Sequence, residues 1–547
     1  MMASEYPPFH QFILSSLSNH VEERPNDFAF LSAENEFESK TFKEIQAAIY
    51  SVAGYFQKSG CKKGEIVTIT LPNTWYYIPC YMGAASAGMV TSGMSPDFTE
   101  YETEYQLSNS QSKVVLTTAN NLNKIIQASK NLPHLKIILY IGKLPSNIVE
   151  TSLQIVNFDE IISKQYPFNP ELIHFNVEED LLALPYSSGT TGMPKGVMIT
   201  HYNFMVQISI LAMHHITKID TVFPPDENAV AGYKIHFLPS YHAYGFAGLC
   251  INILRGSSTI IMKHFKPHLF LSLVEKYKVA QLNLVPMLLN YLSESPDVEK
   301  FDLSSIRFIS SGGAPLSTFQ IERVKKRFPS LKYVFQGYGM TELTTISHGA
   351  VFDEPMPNEA IGKCLPQIED KIVNPETGKE CNPGERGELW VKGPTVMKGY
   401  WMNEKATAET ITPDGYVKTG DIASKDSNGF LFIHDRIKEL IKVKAFQVPP
   451  AELEHLLLSH SKVSDVAVVG IPNSEFGEIP RAFVVPKESN TITEQELINF
   501  VKEKVSKYKQ LRGGVEFVSQ IPRTASGKIL RRKIKEDYLK KTKLSKL

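Results

Sequence analysis

The stretch YSSGTTGMPKG, residues 186–196, gathers four serine and threonine hydroxyls, three glycines and one lysine into eleven positions. Glycines let the backbone turn several N–H groups onto one anion, Ser187, Ser188, Thr190 and Thr191 add hydroxyl donors, and Lys195 adds a compact charge that follows a phosphate. The Walker pattern places its lysine, and then a hydroxyl, directly after the second glycine. Here Gly189 and Gly192 are three apart, Lys195 comes three later, and Gly196 stands where the hydroxyl belongs. The loop is therefore of another kind, suited to a polyphosphate tail. A plain turn between Leu184 and Val197 would need neither so many donors nor the charge.

Outward from this loop, helical and strand patterns alternate. Thr41 and Glu44 form a capping box, and Ile45, Ala48, Ile49, Val52 and Phe56 then recur at helical spacing until Gly60. EIVTITL follows as a strand, and further β-branched runs appear at KVVLTT, LKIILYI, STIIMK, IRFISSG and KYVFQGYG. This alternation predicts an α/β protein with large, mostly parallel sheets. Over residues 393–421 turn signals are dense and strands short, as in a β-rich subdomain. After Arg436 a compact α+β pattern begins, with a helix from Pro450, strands VSDVAVVGI and RAFVVPK, and a helix capped by Thr493 and Glu496. The expected division is a large domain over residues 1–436 and a small mobile one over 437–547, with the boundary at 435–438.

A chain of 547 residues exceeds what one core organises. Lys plus Arg and Asp plus Glu both number 58, so no global field favours nucleic acid or an anionic membrane. Five scattered cysteines, odd in number and never in C-x-x-C spacing, argue against a disulfide framework and a zinc site and for a reducing compartment. The opening MMASEYPPFHQF lacks a basic region followed by an apolar one, so no secretory signal is expected. YIPCYMGAASAGMV, from Tyr77, is short and small-residue-rich, a buried helix rather than a membrane span. The last tripeptide, Ser545-Lys546-Leu547, is the one the peroxisomal import receptor reads, which makes the peroxisome the expected location and that receptor an expected partner.

Three more clusters carry chemistry. FQGYGMTE, residues 335–342, is a strand running into a glycine turn, where Tyr338 can stack on a flat ring and Glu342 can hold a magnesium ion bridging phosphates. SSGGAP, residues 310–315, is another strand-ending glycine turn. Ligands of open α/β sheets sit at the carboxyl ends of strands, so these turns point at one crevice. YVKTGD brings Asp421, able to accept from both hydroxyls of a ribose or simply to cap a turn, and PRTASGKILRR offers Lys528 on a glycine-bearing loop.

YSSGTTGMPKG, QGYGMTE, TGD, DRIKELIK and PRTASGK, in this order over nearly the whole length, resemble the adenylate-forming superfamily, and within it the acyl-CoA synthetase branch that includes plant coumaroyl-CoA ligases and beetle luciferases. The resemblance implies an acid–CoA ligase in which a carboxylate attacks the α-phosphate of ATP, releasing pyrophosphate, and coenzyme A then displaces AMP. It implies that Ser187, Ser188, Gly189, Thr190, Thr191, Gly192 and Lys195 embrace the β and γ phosphates, that Thr341 contacts the α-phosphate and that Glu342 serves Mg2+. Gly313, Ala314, Gln336, Gly337, Tyr338 and Gly339 would surround the adenine, and Asp421, Ile433 and Arg436 the ribose. Lys528 would bridge carboxylate and phosphate. Lys438 would be the hinge that replaces Lys528 by a face carrying Lys442, with Lys444, Ala445 and Phe446 on coenzyme A. His242 would position the acid, and Tyr244, Phe246 and Gly312 would line its pocket.

The family usually has glycine where this chain has Ala445, in a turn that meets the pantetheine arm. A luciferase or another non-CoA acceptor is one rival, and an inactive nucleotide sensor, expected to lose Lys195, Glu342 or Lys528, is another; all three residues are present. Aromatic, branched and fatty acids all remain open as substrates.

Overall fold

The computed structural model describes residues 6–35, 38–187, 193–214, 232–313, 316, 318–437, 439–443, 446–473, 475–488, 491–524 and 527–544. The Thr41 and Glu44 pair forms the expected capping box, each side chain bonded to the other's backbone N–H, and opens the helix Phe42–Lys58. Its buried stripe includes Ile45, Ile49, Val52 and Phe56, each worth about 1.5–3 kcal/mol when fully buried. That stripe packs on the helix Tyr77–Ser86, every residue of which is buried. No helix of the described residues is long and apolar enough to cross a membrane.

The largest sheet runs Gly399–Tyr400, Lys195–Thr200, Leu181–Ala183, Val90–Gly93, Ile66–Ile69, Val114–Thr118, Ile137–Ile141, Gln154–Asn157. From Leu181–Ala183 to Gln154–Asn157 the pairs are parallel, as the β-branched runs predict. At the other end Lys195–Thr200 pairs antiparallel with three neighbours, so the sheet is mixed there. A second layer holds the parallel strands Gln281–Leu284, Phe308–Ser311 and Tyr333–Gln336. The β-rich subdomain is an antiparallel sheet of Glu369–Val373, Gly387–Lys392, Val417–Lys425 and Leu431–Arg436.

The last part of the chain has a core of its own, in which Val448, Leu453, Val466, Val468, Val484, Leu497 and Val501 are buried together. Its helix Pro450–Leu458 and strands Val463–Asn473 and Gly477–Pro486 lie where the sequence predicts them. Thr493 caps Glu494–Lys502 by accepting from the N–H of Glu496.

Candidate active site

Leu284, Ser311 and Gln336 stand side by side at the carboxyl ends of the three parallel strands. The turns leaving those strands floor a cleft of about 1140 Å³. Gly312, Gly313, Gln336, Gly337, Tyr338, Gly339 and Thr341 line it. Gly313 has φ +84°, which a side chain would strain. At Gly339 a Cβ would stand 1.9 Å from the carbonyl oxygen of Thr345, so only glycine lets the two backbones approach. The Gln336 amide acts differently from the sequence reading: its Oε1 accepts the N–H of Leu316 at 2.7 Å, so the side chain holds the returning turn in place. Ala314 lies outside the described residues.

Asp421 and Arg436 are cross-strand partners. The buried Asp421 carboxylate accepts the Tyr338 hydroxyl at 2.6 Å and the Arg436 Nε–H at 3.0 Å. Burial raises this carboxyl above the ordinary aspartate range against the pull of Arg436 and the Tyr338 bond. A carboxylate offers about four acceptor sites, so two bonds leave room for a diol. Asp421, Ile433 and Arg436 all line the cleft.

Ser187 and Lys195 face each other across a two-stranded antiparallel ladder. Ser188, Gly189, Thr190, Thr191 and Gly192 lie outside the described residues. Ser187 donates its hydroxyl to Oε1 of Glu342 at 2.8 Å, and Tyr400 donates to the same oxygen at 2.8 Å. The Lys195 ammonium sits over the Tyr400 ring, 4.7 Å from its centre. Tyr400 thus ties the loop lysine to the carboxylate. Sequence reading passed over it, because a tyrosine in KGYW carries no spacing signal.

His242 also lines the cleft; it precedes the helix Ala243–Leu254, and among the described residues its side chain makes no capping bond. Burial, and then the nearby Lys528 charge, push its imidazole down to about 4, so it is neutral at physiological pH. Lys528 enters from the small domain on a tight loop. Thr524 N–H donates to the Lys528 carbonyl at 2.8 Å, Lys528 N–H to the Thr524 hydroxyl at 3.1 Å, and Arg523 braces the loop through Asp465 at 2.7 Å. Burial first, and then Arg436, hold the Lys528 ammonium below the ordinary lysine range, with Asp421, Glu342 and Glu439 opposing.

Tyr244 and Gly312 line the cleft, as the resemblance implies. Phe246 does not. It is buried in the large-domain core, stacked on Tyr81 with ring centres 3.8 Å apart and tilted against Phe204. Residues 244 and 246 sit on one helix at about 100° per residue, so they point to opposite sides. Lys442 is exposed on the strand Ile441–Val443 and is absent from the cleft lining. Lys438, Lys444 and Ala445, the side chain of Phe446 and the tripeptide Ser545-Lys546-Leu547 lie outside the described residues.

A two-domain α/β fold with a glycine-floored cleft, a buried aspartate with spare acceptor sites and a lysine supplied by the smaller domain fits a nucleotide-handling enzyme. Residues 17–401 match the family described as AMP-binding enzyme, and residues 452–528 match the AMP-binding enzyme C-terminal domain. The chain belongs to this adenylate-forming family. Acyl-CoA synthetase 7 of Caenorhabditis elegans is 38% identical over 541 residues, covering 98% of each chain. The peroxisomal OPC-8:0-CoA ligase 1 of Arabidopsis thaliana is 36% identical over 90% of this chain and 87% of its own. The crystal structure of ATP-bound MatB from Rhodopseudomonas palustris superposes with a TM-score of 0.82 at 25% identity, over 96% of this chain and 98% of that one.

Proposed function

We propose that the protein activates a carboxylic acid with ATP and passes the acyl group to coenzyme A. It is an AMP-forming acid–CoA ligase. The acid's oxygen bonds to the α-phosphorus as pyrophosphate leaves, and the thiol of coenzyme A then bonds to the acyl carbon as AMP leaves and the thiol proton goes to solvent. The observation that carries this reading is that Lys528 lines one cleft with His242, Asp421 and Arg436, close enough to feel their charges and to shift His242. A cation there opposes the charge that builds where carboxylate meets phosphate. Neutral His242 orients the acid by hydrogen bonding without drawing it away from Lys528. Asp421 holds the ribose with its spare acceptor sites, and Tyr338 walls the adenine.

Glu342 fits a magnesium ion, because both hydroxyl bonds fall on Oε1 and a carboxylate with phosphate oxygens is the donor set that ion takes. When bound, magnesium neutralises charge on the leaving pyrophosphate. With Lys528 in the cleft and Lys442 outside it, the arrangement suits the first half-reaction. The second requires residues 437–547 to turn about Lys438 and present Lys442, Lys444, Ala445 and Phe446 to coenzyme A.

The acid's channel follows the helix Ala243–Leu254. Ala247, Gly248, Ile251 and Asn252 line it from that helix and Arg255 just beyond, with Leu211 and His214 also in the lining. The span from Ala243 to Arg255 is about 18 Å at 1.5 Å per residue. Among the described residues a Cβ built on Gly248 meets nothing within 4 Å, so the described wall is open there. Lys234, Asn252, Arg255 and Gln281 make the far end polar. An extended, mainly apolar acid with a hydrogen-bonding or anionic far end suits these walls. A peroxisomal location is supported by the Arabidopsis relative and is tested by deleting Ser545-Lys546-Leu547 from a fluorescent fusion.

The reaction itself is tested by measuring AMP and pyrophosphate release across a panel of acids with and without coenzyme A. Acid-dependent AMP release yielding acyl-CoA supports the proposal. Pyrophosphate release without thioester would make the acceptor something else, and silence across the panel would favour a nucleotide sensor.

A further inference from the structure

A second constellation of ligand-bearing side chains lies behind the Tyr338 turn, and none of its members serves the reaction above. His348 lies on His348–Gly349, Cys364 on the antiparallel partner Lys363–Cys364, and Asp370 on Glu369–Val373. The register sets His348 opposite Cys364, which brings both side chains to one face. Nε2 of His348 is 3.3 Å from Sγ of Cys364, Sγ is 3.1 Å from Oδ1 of Asp370, and Oδ2 of Asp370 is 3.4 Å from Nε2. Tetrahedral zinc, with its usual bond lengths, sets N, S and O ligands roughly 3.3–3.6 Å apart. The ligand atoms of the three residues all lie within 4.8 Å of one another, so the group is within reach of one such ion.

The surroundings favour an ion as well. The Ser347 hydroxyl lies 2.9 Å from Nδ1 of His348 and fixes the ring with Nε2 inward, as the outer hydrogen bond of a metal-bound histidine does. Lys425 donates to Oδ1 of Asp370 at 2.9 Å and leaves Oδ2. That oxygen has no aligned hydrogen-bond donor among the described residues, on a side chain only 5% exposed. Its nearest partner is the His348 ring at 3.4 Å, and a cation held between the two would bind both. Cys364 is half-buried, which gives an ion its way in.

We propose that His348, Cys364 and Asp370 bind a borderline-soft divalent cation of the zinc class through Nε2, Sγ and Oδ2, with water in the fourth position. Imidazole and thiolate select against magnesium and calcium, so this site is separate in kind from the one at Glu342. As the sulfur–metal bond forms, the Cys364 thiol releases its proton to solvent. His348 accepts the N–H of Tyr338 at 3.0 Å through its carbonyl and meets the Tyr338 ring edge-on at 5.9 Å. The ion therefore stiffens the turn that carries the tyrosine of the nucleotide site.

The test uses the full-length, untagged protein, stripped with a chelator and titrated with Zn2+ and, separately, Co2+ without nucleotide. The expected result is one equivalent of either ion, a thiolate-to-cobalt charge-transfer band, and a higher melting temperature with Zn2+. In Cys364→Ser the band disappears, while acid-dependent AMP release with magnesium and coenzyme A but no added zinc or cobalt reports that the variant folds. In Ser347→Ala the affinity falls roughly 10–100-fold. The proposal is overturned if no equivalent binds, if cobalt binds without the band or keeps it in Cys364→Ser, or if Ser347→Ala binds as tightly as the wild type.

Discussion

Removing the Lys528 ammonium tests the division of labour between the two lysines. In Lys528→Ala the phosphoryl centre loses a cation held in a partly desolvated cleft. Two unit charges about 4 Å apart interact by about 4 kcal/mol at an effective dielectric near 20. Part of that attraction already acts on bound ATP and acid, and only the part that grows toward the transition state changes the rate. Taking half to all of it gives about 2–4 kcal/mol, or roughly 30- to 1000-fold in adenylation rate. The assay is acid-dependent pyrophosphate release at saturating ATP, set beside acyl-CoA formation from a supplied acyl-adenylate. Lys528→Ala is expected to lose the first and keep the second, and Lys442→Ala, altered at an exposed position outside the cleft lining, is expected to do the reverse. Equal loss of both activities in either variant, or an adenylation defect below about threefold in Lys528→Ala, refutes the reasoning.

The pH profile carries a sign of its own. A lysine held below its ordinary range loses its charge as pH rises through the lowered value, so adenylation falls on the alkaline side earlier than an ordinary lysine would dictate. His242, held at about 4, adds no acidic limb near neutrality. In Lys528→Arg the alkaline limb is removed, since guanidinium does not titrate there; a limb that stays would assign it elsewhere. Gly339→Ala puts a methyl group 1.9 Å from the Thr345 carbonyl oxygen and 2.5 Å from Ile346 Cα. It is expected to cost about 1–3 kcal/mol or more in urea unfolding and to raise KM for ATP. Phe246→Ala empties a core position at about 3–5 kcal/mol and leaves the order of preferred acids unchanged. Gly248→Leu melts near the wild type and rejects long acids, and the same panel of acids with thermal melts distinguishes the two.

What the sequence made legible was local chemistry and order along the chain. The capping box at Thr41 and Glu44 is a bond between residues three apart and needs no tertiary knowledge. The motifs fall at strand ends because glycine turns must follow strands there, and the parallel register then carries Gln336, Ser311 and Leu284 to one edge. Phe246 was misread because HAYGF as a string puts Tyr244 and Phe246 in one neighbourhood, whereas the helix that begins at Ala243 sends them opposite ways. Tyr400 was missed because its partners, Glu342 and Lys195, lie far from it in sequence. The His348, Cys364 and Asp370 group was hidden for the same reason, since its spacings match no metal motif.

The ion pairs of the small domain bear on whether it can turn. Arg531 binds Glu439 and Glu454, both at 2.6 Å, and with a boundary after Arg436 all three residues lie on the same side. That network moves as a body and opposes no rotation. Lys487 reaches Glu294 across the boundary at 3.3 Å, but both side chains are partly exposed, and such pairs contribute about 0–1 kcal/mol. The Asp435 bond to the N–H of Ala451, at 3.1 Å, also crosses, close in sequence to the proposed pivot, where a turn would move atoms least. Burial pushes that carboxyl up to about 7. The strong charge–charge bonds thus hold Lys528's domain together, while those joining it to the large domain are weak or near the axis. Such a distribution fits the proposed turn, in which one lysine leaves the cleft and another surface replaces it without dismantling either core.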